Sequence, residues 1–172
     1  MDFLDLAKKR FTVRSYGKTK VEPEKLSLIL EAGRIAPTAA NLQPQRVLVV
    51  QSEEGLAKLG KAANVYNAPL ALIVCADHNA AWKRPIDGKT TPDIDVSIVT
   101  DHMMLEAEEL GLSSVWICYF KPDVLRQEFN IPQGVEPINI LAIGYNSGLV
   151  ASPARHSQTR KPLEETVFFE TF

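Results

Sequence analysis

The sequence predicts an α+β chain, a sheet of about four strands flanked by helices, and three observations carry that reading. Apolar residues at helical spacing alternate along the chain with short apolar runs. The run from Pro69 to Cys75 is continuously apolar, as in a strand buried on both faces. The stretch from Asp93 to Leu110 keeps a helical period throughout and stops at Gly111, a residue suited to the left-handed turn that ends a helix.

The elements follow in order. Asp2 is placed to cap a first helix that runs through Lys9. A second helix spans Pro23 to Ile35: proline suits its first turn, Leu26, Ile29, Leu30 and Ile35 form its apolar stripe, and Pro37 sets its end. Arg46 to Gln51 reads as a strand, Glu53 to Ala62 as a short helix, and Pro69 to Cys75 as the central strand. The helix from Asp93 carries Val96, Val99, Met103, Leu105 and Leu110 on its apolar side and is expected to be the core helix. Ser114 to Cys118 is a strand, Lys121-Pro122-Asp123 opens a helix to Phe129, and Val135 to Tyr145 is the last long strand. Asn146 to Thr159, rich in Ser and Gly, reads as a loop, followed by a short helix or turn and a tail carrying Phe168, Phe169 and Phe172. At about 25 cal/mol per Å² of buried apolar surface, each of these rings gains on the order of 2 kcal/mol by docking. A packed tail is therefore expected, with the edge of a partner's sheet as a natural place for it.

Composition narrows the function. With 172 residues, 45% of them hydrophobic, the chain builds one core of ordinary size, and a single domain over residues 1–172 is expected. A net charge of -2 from 19 basic and 21 acidic residues provides no broad positive field, which argues against nucleic-acid binding. Cys75 and Cys118 are too few and too far apart for a disulfide framework, and the start M-D-F-L-D-L carries no signal-peptide pattern, so a reducing cytoplasm is the simplest address. The longest nearly uncharged run, Asn64 to Ala76, is shorter than the roughly 20 apolar residues of a membrane span, and no membrane partner is expected. His78, His102 and His156 are scattered without metal-ligand spacing, and no metal is expected.

Two segments point to chemistry. In Lys8 to Tyr16, the side chains of Arg10, Thr12 and Arg14 fall at every second position, so an extended backbone sets them on one side. A planar guanidinium is well shaped to hold phosphate oxygens, which suggests a grip on a phosphorylated small molecule. Taken alone, the same residues also read as a solvated basic patch. The loop A-P-T-A-A-N-L-Q-P, Ala36 to Pro44, presents backbone amides and small polar groups between a helix and the apolar strand Val47 to Val50, or is no more than a helix terminator and turn.

Those segments, with the apolar strand from Ala68-Pro69 to Asp77, the passage Gly111-Leu112-Ser113-Ser114-Val115-Trp116-Ile117, the run Ala142-Ile143-Gly144-Tyr145 and the ending Arg160-Lys161-Pro162-Leu163-Glu164-Glu165, resemble in order and spacing the nitroreductase family of FMN-dependent oxidoreductases. The resemblance implies a three-layer α/β/α fold with a mixed, mostly antiparallel sheet and a domain-swapped C-terminal tail. It implies FMN as cofactor, NADH or NADPH as co-substrate, a homodimer, and a small electron-poor acceptor such as a nitroaromatic or quinone. By the same resemblance, Arg10, Phe11 and Thr12 fall on the phosphate side of FMN and Arg14 near the pyrimidine edge of the ring, where a cation tunes redox behaviour. Pro37, Thr38, Ala39, Asn41 and Gln43 would cross a dimer interface to touch the flavin held mainly by the other subunit. Ala39 stands where relatives often have a serine, which leaves its backbone contact but not a side-chain one. Trp116 and Ile117 would lie against one face of the flavin, and a backbone amide near Cys118 or Tyr119 would point at N5. Tyr119 stands where relatives often have glycine, so it either narrows the pocket or supplies a phenol. Cys118 is read as buried and inert, without a partner that would make it a nucleophile. Arg160, and more weakly Lys161, would return to the phosphate.

Asn64, Tyr66 and Asn67 precede the central strand where some relatives place a polar group near the flavin. The loop Asn79 to Thr91 leaves room for a small lid in which Trp82, Lys83 and Arg84 face the ring, or is simply exposed. No G-x-G-x-x-G fingerprint is present, in keeping with a nicotinamide that enters the flavin pocket directly. The rival readings are a flavin carrier or sensor that turns over no nicotinamide, and an interaction protein without a cofactor whose Phe tail is the adhesive element.

Overall fold

The Asp2 side chain accepts a hydrogen bond from the Asp5 amide at 2.8 Å and so starts helix α1, Phe3–Lys9, in the computed structural model, which describes residues 2–172. Helix α2, Pro23–Ile35, has proline in its first turn and ends where the sequence places its stop. Strand β1, Gln45–Val50, leads to α3, Glu53–Gly60, capped by the Ser52 hydroxyl, which accepts from the Gly55 amide. Strand β2, Leu70–Asp77, precedes α4, Pro92–Glu109, which ends at Gly111 with φ +77. Strand β3, Ser113–Ile117, helix α5, Pro122–Phe129, and strand β4, Val135–Gly144, complete the core elements.

The sheet order is β1-β2-β4-β3, and the ladders between these strands are antiparallel. The one parallel pairing among the described residues is the bridge of Thr12 with Ser114. Strand β2 lies inside the sheet with Leu70 to Ala76 all buried, which is why its sequence is apolar without alternation. Its two faces meet different layers. Ala71, Ile73 and Cys75 pack with Leu59 of α3, Leu125 of α5, and Val13 and Tyr16, whereas Leu70, Leu72, Val74 and Ala76 pack with Ile29 of α2 and Val96, Val99 and Met103 of α4. The result is the expected α/β/α sandwich. Gly33 lets α2 and α4 touch, since a Cβ there would lie 2.8 Å from Met103 Cγ.

Two expectations are corrected. Leu105 is only half-buried because, at 100° per residue, it falls on the side of α4 opposite Val96; Met104 and Ala107 are buried instead. The segment read as a loop to Thr159 contains a short helix, α6, Arg155–Thr159, which has no apolar period to announce it and buries no side chain. Within the single chain the end of the tail is open: Phe169 is 86% exposed and Phe172 fully so, and the Phe172 ring meets that of the half-exposed Phe168 at 5.0 Å between centroids. Among the described residues, no helix is long and apolar enough to cross a membrane.

Candidate functional site

Helix α1 ends at Lys9, and Arg10 caps it by donating its amide to the Leu6 carbonyl at 3.0 Å. The chain then extends, and the Val13 amide donates to the Ser114 carbonyl at 3.0 Å beside the Thr12 bridge. Alternation follows: Phe11 and Val13 pack into the core, and Arg10, Thr12 and Arg14 take the other side. Because the bridge to Ser114 is parallel, the segment runs with β3, Arg10 before the strand's start and Arg14 toward its end. Arg10, Phe11 and Thr12 line a cavity of about 330 Å³ with Arg155, His156 and Arg160. Guanidiniums from both ends of the chain thus meet at one concavity that also offers a hydroxyl, the donor set a phosphate dianion requires.

A second cavity opens where β3 leaves the sheet. Ile117, Tyr119, Phe120 and Lys121 line it from one side, Asn64 and Tyr66 from the other. Thr12 lines the first cavity and Arg14, two residues on, lies against Tyr66 of the second, so one short segment of chain serves both. Arg14 stands between them, its guanidinium carbon 5.8 Å from the centroid of the Tyr66 ring. Tyr66 and Asn67 hold left-handed backbone, with φ 57 and 59. Beneath Arg14, the Tyr16 hydroxyl donates within reach of the Val13 and Ala142 carbonyls, and burial pushes its pKa far up although the Arg14 charge acts against this. Tyr16 is a neutral strut.

The Pro37 loop is built differently. The Ala39 amide donates to Asp95 Oδ1 at 2.8 Å, and the Gln43 amide to the Thr38 hydroxyl at 3.1 Å. Ala40, Asn41 and Gln43 adopt φ of 50, 54 and 52, conformations that cost non-glycine residues energy and persist only where their surroundings impose them. Asp95, 3% exposed in the first turn of α4, is the buried anchor. At the far end of the same helix, Lys9 pairs with Glu108 at 3.5 Å. Thirteen residues of helix, about 20 Å, therefore separate the anchor of the Pro37 loop from that of the Arg10 segment.

The chain matches the nitroreductase family over residues 7–65 and 57–145. The chain belongs to the nitroreductase family. A solved nitroreductase-family protein from Clostridium difficile 630 is 58% identical, with TM-score 0.98 and full coverage of both chains. A relative from Methanothermobacter thermautotrophicus, whose name pairs NADH dehydrogenase with NAD(P)H nitroreductase, is 32% identical over 93% of this chain and 82% of its own length. An FMN reductase [NAD(P)H] from Bacillus subtilis is 29% identical over 90% of this chain and 70% of its own length.

Within this nitroreductase-family fold, the expected site residues divide. Arg10, Phe11, Thr12 and Arg160 meet at the first cavity, Ile117 and Tyr119 at the second, with Arg14 between. Lys161 is not at the cavity; it lies 3.9 Å from Glu165 one turn on. Trp116 does not share a face with Ile117, since successive residues of a strand point opposite ways: Trp116 packs on the core under α2 and α4, and Ile117 belongs to the other core. Cys118 is exposed, not buried, because β3 ends at Ile117 and the next residue has left the sheet. Cys75 is the buried thiol, pushed up to about 11 by burial, with Arg126 acting the other way. Pro37, Thr38, Ala39, Asn41 and Gln43 are not brought to either cavity within this chain.

In the Asn79 to Thr91 loop, Lys83 bridges Thr90 and Arg84 forks onto Asp87, its Nε donating at 2.8 Å. No group of His, Cys, Asp and Glu suited to a metal occurs among the described residues. Two residues escaped the sequence reading. Asp95 stood in a helical stretch read for its apolar side, and Arg155 in a segment without a pattern.

Proposed function

We propose that this nitroreductase-family protein is an FMN-dependent NAD(P)H oxidoreductase that works as a homodimer and reduces a small electron-poor acceptor, such as a nitroaromatic or a quinone. The observation that carries the reading is the meeting of Arg10, Thr12 and Arg160 at one cavity, with a second, less polar cavity joined to it through Arg14 and Tyr66. That donor set fits a phosphate at one end, and Ile117, Tyr66 and Phe120 fit a flat ring at the other. When bound, FMN supplies the redox chemistry, taking hydride from the nicotinamide at N5 and passing it on in a ping-pong cycle.

The chain's own residues bind, orient and exclude water. Arg10 and Arg160 hold the phosphate oxygens, assisted by the Thr12 hydroxyl. Arg14, held over Tyr66, would supply a positive charge to the ring and so favour its anionic reduced form. The backbone amides at Cys118 and Tyr119, beyond the end of β3, would be available to donate to the flavin ring. Ile117, at the cavity wall, would help to exclude water from the ring.

The homodimer draws support from two features. Some 20 Å of α4 separates the Pro37 loop from the Arg10 segment, so the loop contributes to a flavin only by reaching that of a second copy. Ile35, Leu42 and Ile94 near that loop, and the three tail phenylalanines, leave apolar surface exposed for the second copy to cover. A flavin carrier is the second reading, favoured by Tyr119, whose 95% exposed side chain stands at the mouth through which a nicotinamide would enter. Steady-state rates with NADH or NADPH against a quinone decide between them. Parallel double-reciprocal lines are expected; no turnover with either nucleotide would leave the carrier.

A further inference from the structure

Arg155 is a charged residue to which the proposed reaction gives no part, yet its side chain is closely engaged. Its guanidinium donates to the carbonyls of Lys8, of Lys9 at 3.4 Å and of Arg10 at 3.1 Å, and its carbon lies 5.9 Å from the centroid of the Phe11 ring. Its other terminal nitrogen holds the Ser152 carbonyl at 3.0 Å. His156 adds a contact from Nε2 to the Lys8 carbonyl at 3.0 Å.

Those carbonyls are the ones a helix end leaves without amide partners, and they carry the negative end of the α1 dipole. An anion placed between Arg10 and Arg160 would face that negative end, with the buried Glu108 carboxylate close behind it against Lys9. Arg155 covers the carbonyls with positive charge. It also holds α6 in place. Five residues are far too few for an autonomous helix, and α6 buries no side chain, so its attachment is polar and runs through Arg155 and His156. Arg160 follows directly as the C-cap of α6, and the Thr159 hydroxyl donates back to the Arg155 carbonyl at 2.6 Å, so the position of Arg160 depends on that of Arg155.

We propose that Arg155 is a positioning residue: by joining the end of α1 to α6 it brings Arg160 to the cavity of Arg10 and gives the protein its preference for a phosphorylated flavin over an unphosphorylated one. This rests on the FMN-binding function proposed above. A lysine would keep the charge, but its single nitrogen cannot hold the α1 carbonyls and the Ser152 carbonyl at once, as Nη2 and Nη1 of the planar fork do, while lying on Phe11.

The test is a titration of the full chain, freed of flavin, with FMN and separately with riboflavin, followed by flavin fluorescence, for the wild type, R155A and R155K. Losing the placement of one charge-assisted contact is expected to weaken FMN about tenfold in R155A and to leave riboflavin within about threefold, so the FMN preference narrows. R155K is expected to lose most of the preference as well, and it carries the test if R155A does not fold. Equal weakening of both flavins, no change in either, or a wild-type preference in R155K would overturn the role of Arg155. A wild-type protein that binds FMN no better than riboflavin would instead overturn the phosphate reading of the cavity, a result visible before any variant is made.

Discussion

The two ends of α4 carry two differently built regions. At its C-terminal end, the Arg10 segment is knit into its own chain by a bridge to β3, an ion pair to Glu108 and the fork of Arg155, and its cavity is assembled from both ends of the sequence. At its N-terminal end, the Pro37 loop holds three left-handed non-glycine residues on one buried carboxylate and turns its side chains outward. The first region gathers its cations, Arg10, Arg155 and Arg160, within one chain. The second stores backbone strain with no use for it in the chain itself, which fits a surface shaped for a second copy.

The comparison breaks most readily at the tail. Deleting residues 168–172 is expected to leave the fold of each chain intact, since these rings belong to neither face of its core, while weakening the dimer by several kcal/mol at about 2 kcal/mol per ring. Dissociation followed by light scattering or dilution checks this, and an unchanged dimer would remove the tail from the interface. Next in size, the double variant R10A/R160A should lose about 3 kcal/mol of FMN affinity, a hundredfold or more, by flavin titration. A loss under about threefold would place the phosphate elsewhere.

The same contrast is sharpened by Asp95. D95A removes the acceptor of the Ala39 amide and should cost about 1–3 kcal/mol in thermal stability, whereas D95N keeps an oxygen in place and should cost less. Because the loop is remote from the cradle, D95A is expected to change turnover while keeping the preference for FMN over riboflavin.

The smallest effect concerns Glu108. Burial raises its pKa, with Lys9 pulling it down, so its folded pKa lies above the unfolded one. Its contribution to stability is therefore full below the unfolded value and is lost as pH rises through the folded one. The stability of E108Q relative to the wild type should rise with pH across that window, by denaturant melts at matched salt.

How much of this was legible in the sequence depends on the kind of signal. Helix α2 is bounded by Pro23 and Pro37, and β2 is apolar throughout, so local chemistry marks both. The alternation of Arg10, Thr12 and Arg14 was readable because an extended segment has a fixed period. The separation of Trp116 from Ile117 follows from the same period, and carrying over contact roles residue by residue concealed it. Arg155 and α6 were not legible, since a five-residue helix held by polar contacts to the other end of the chain leaves no periodic trace. The anchoring of Ala39 by Asp95 is likewise a long-range contact, between residues on a loop and a helix 56 positions apart.

The most direct measurement is a visible absorption spectrum of the purified full chain with added FMN, recorded before and after anaerobic addition of NADH and then NADPH. Bound flavin that bleaches promptly with one of them is the predicted result. A protein that retains no FMN, or one whose bound FMN stays yellow with both nucleotides, would contradict the assignment as an FMN-dependent NAD(P)H oxidoreductase.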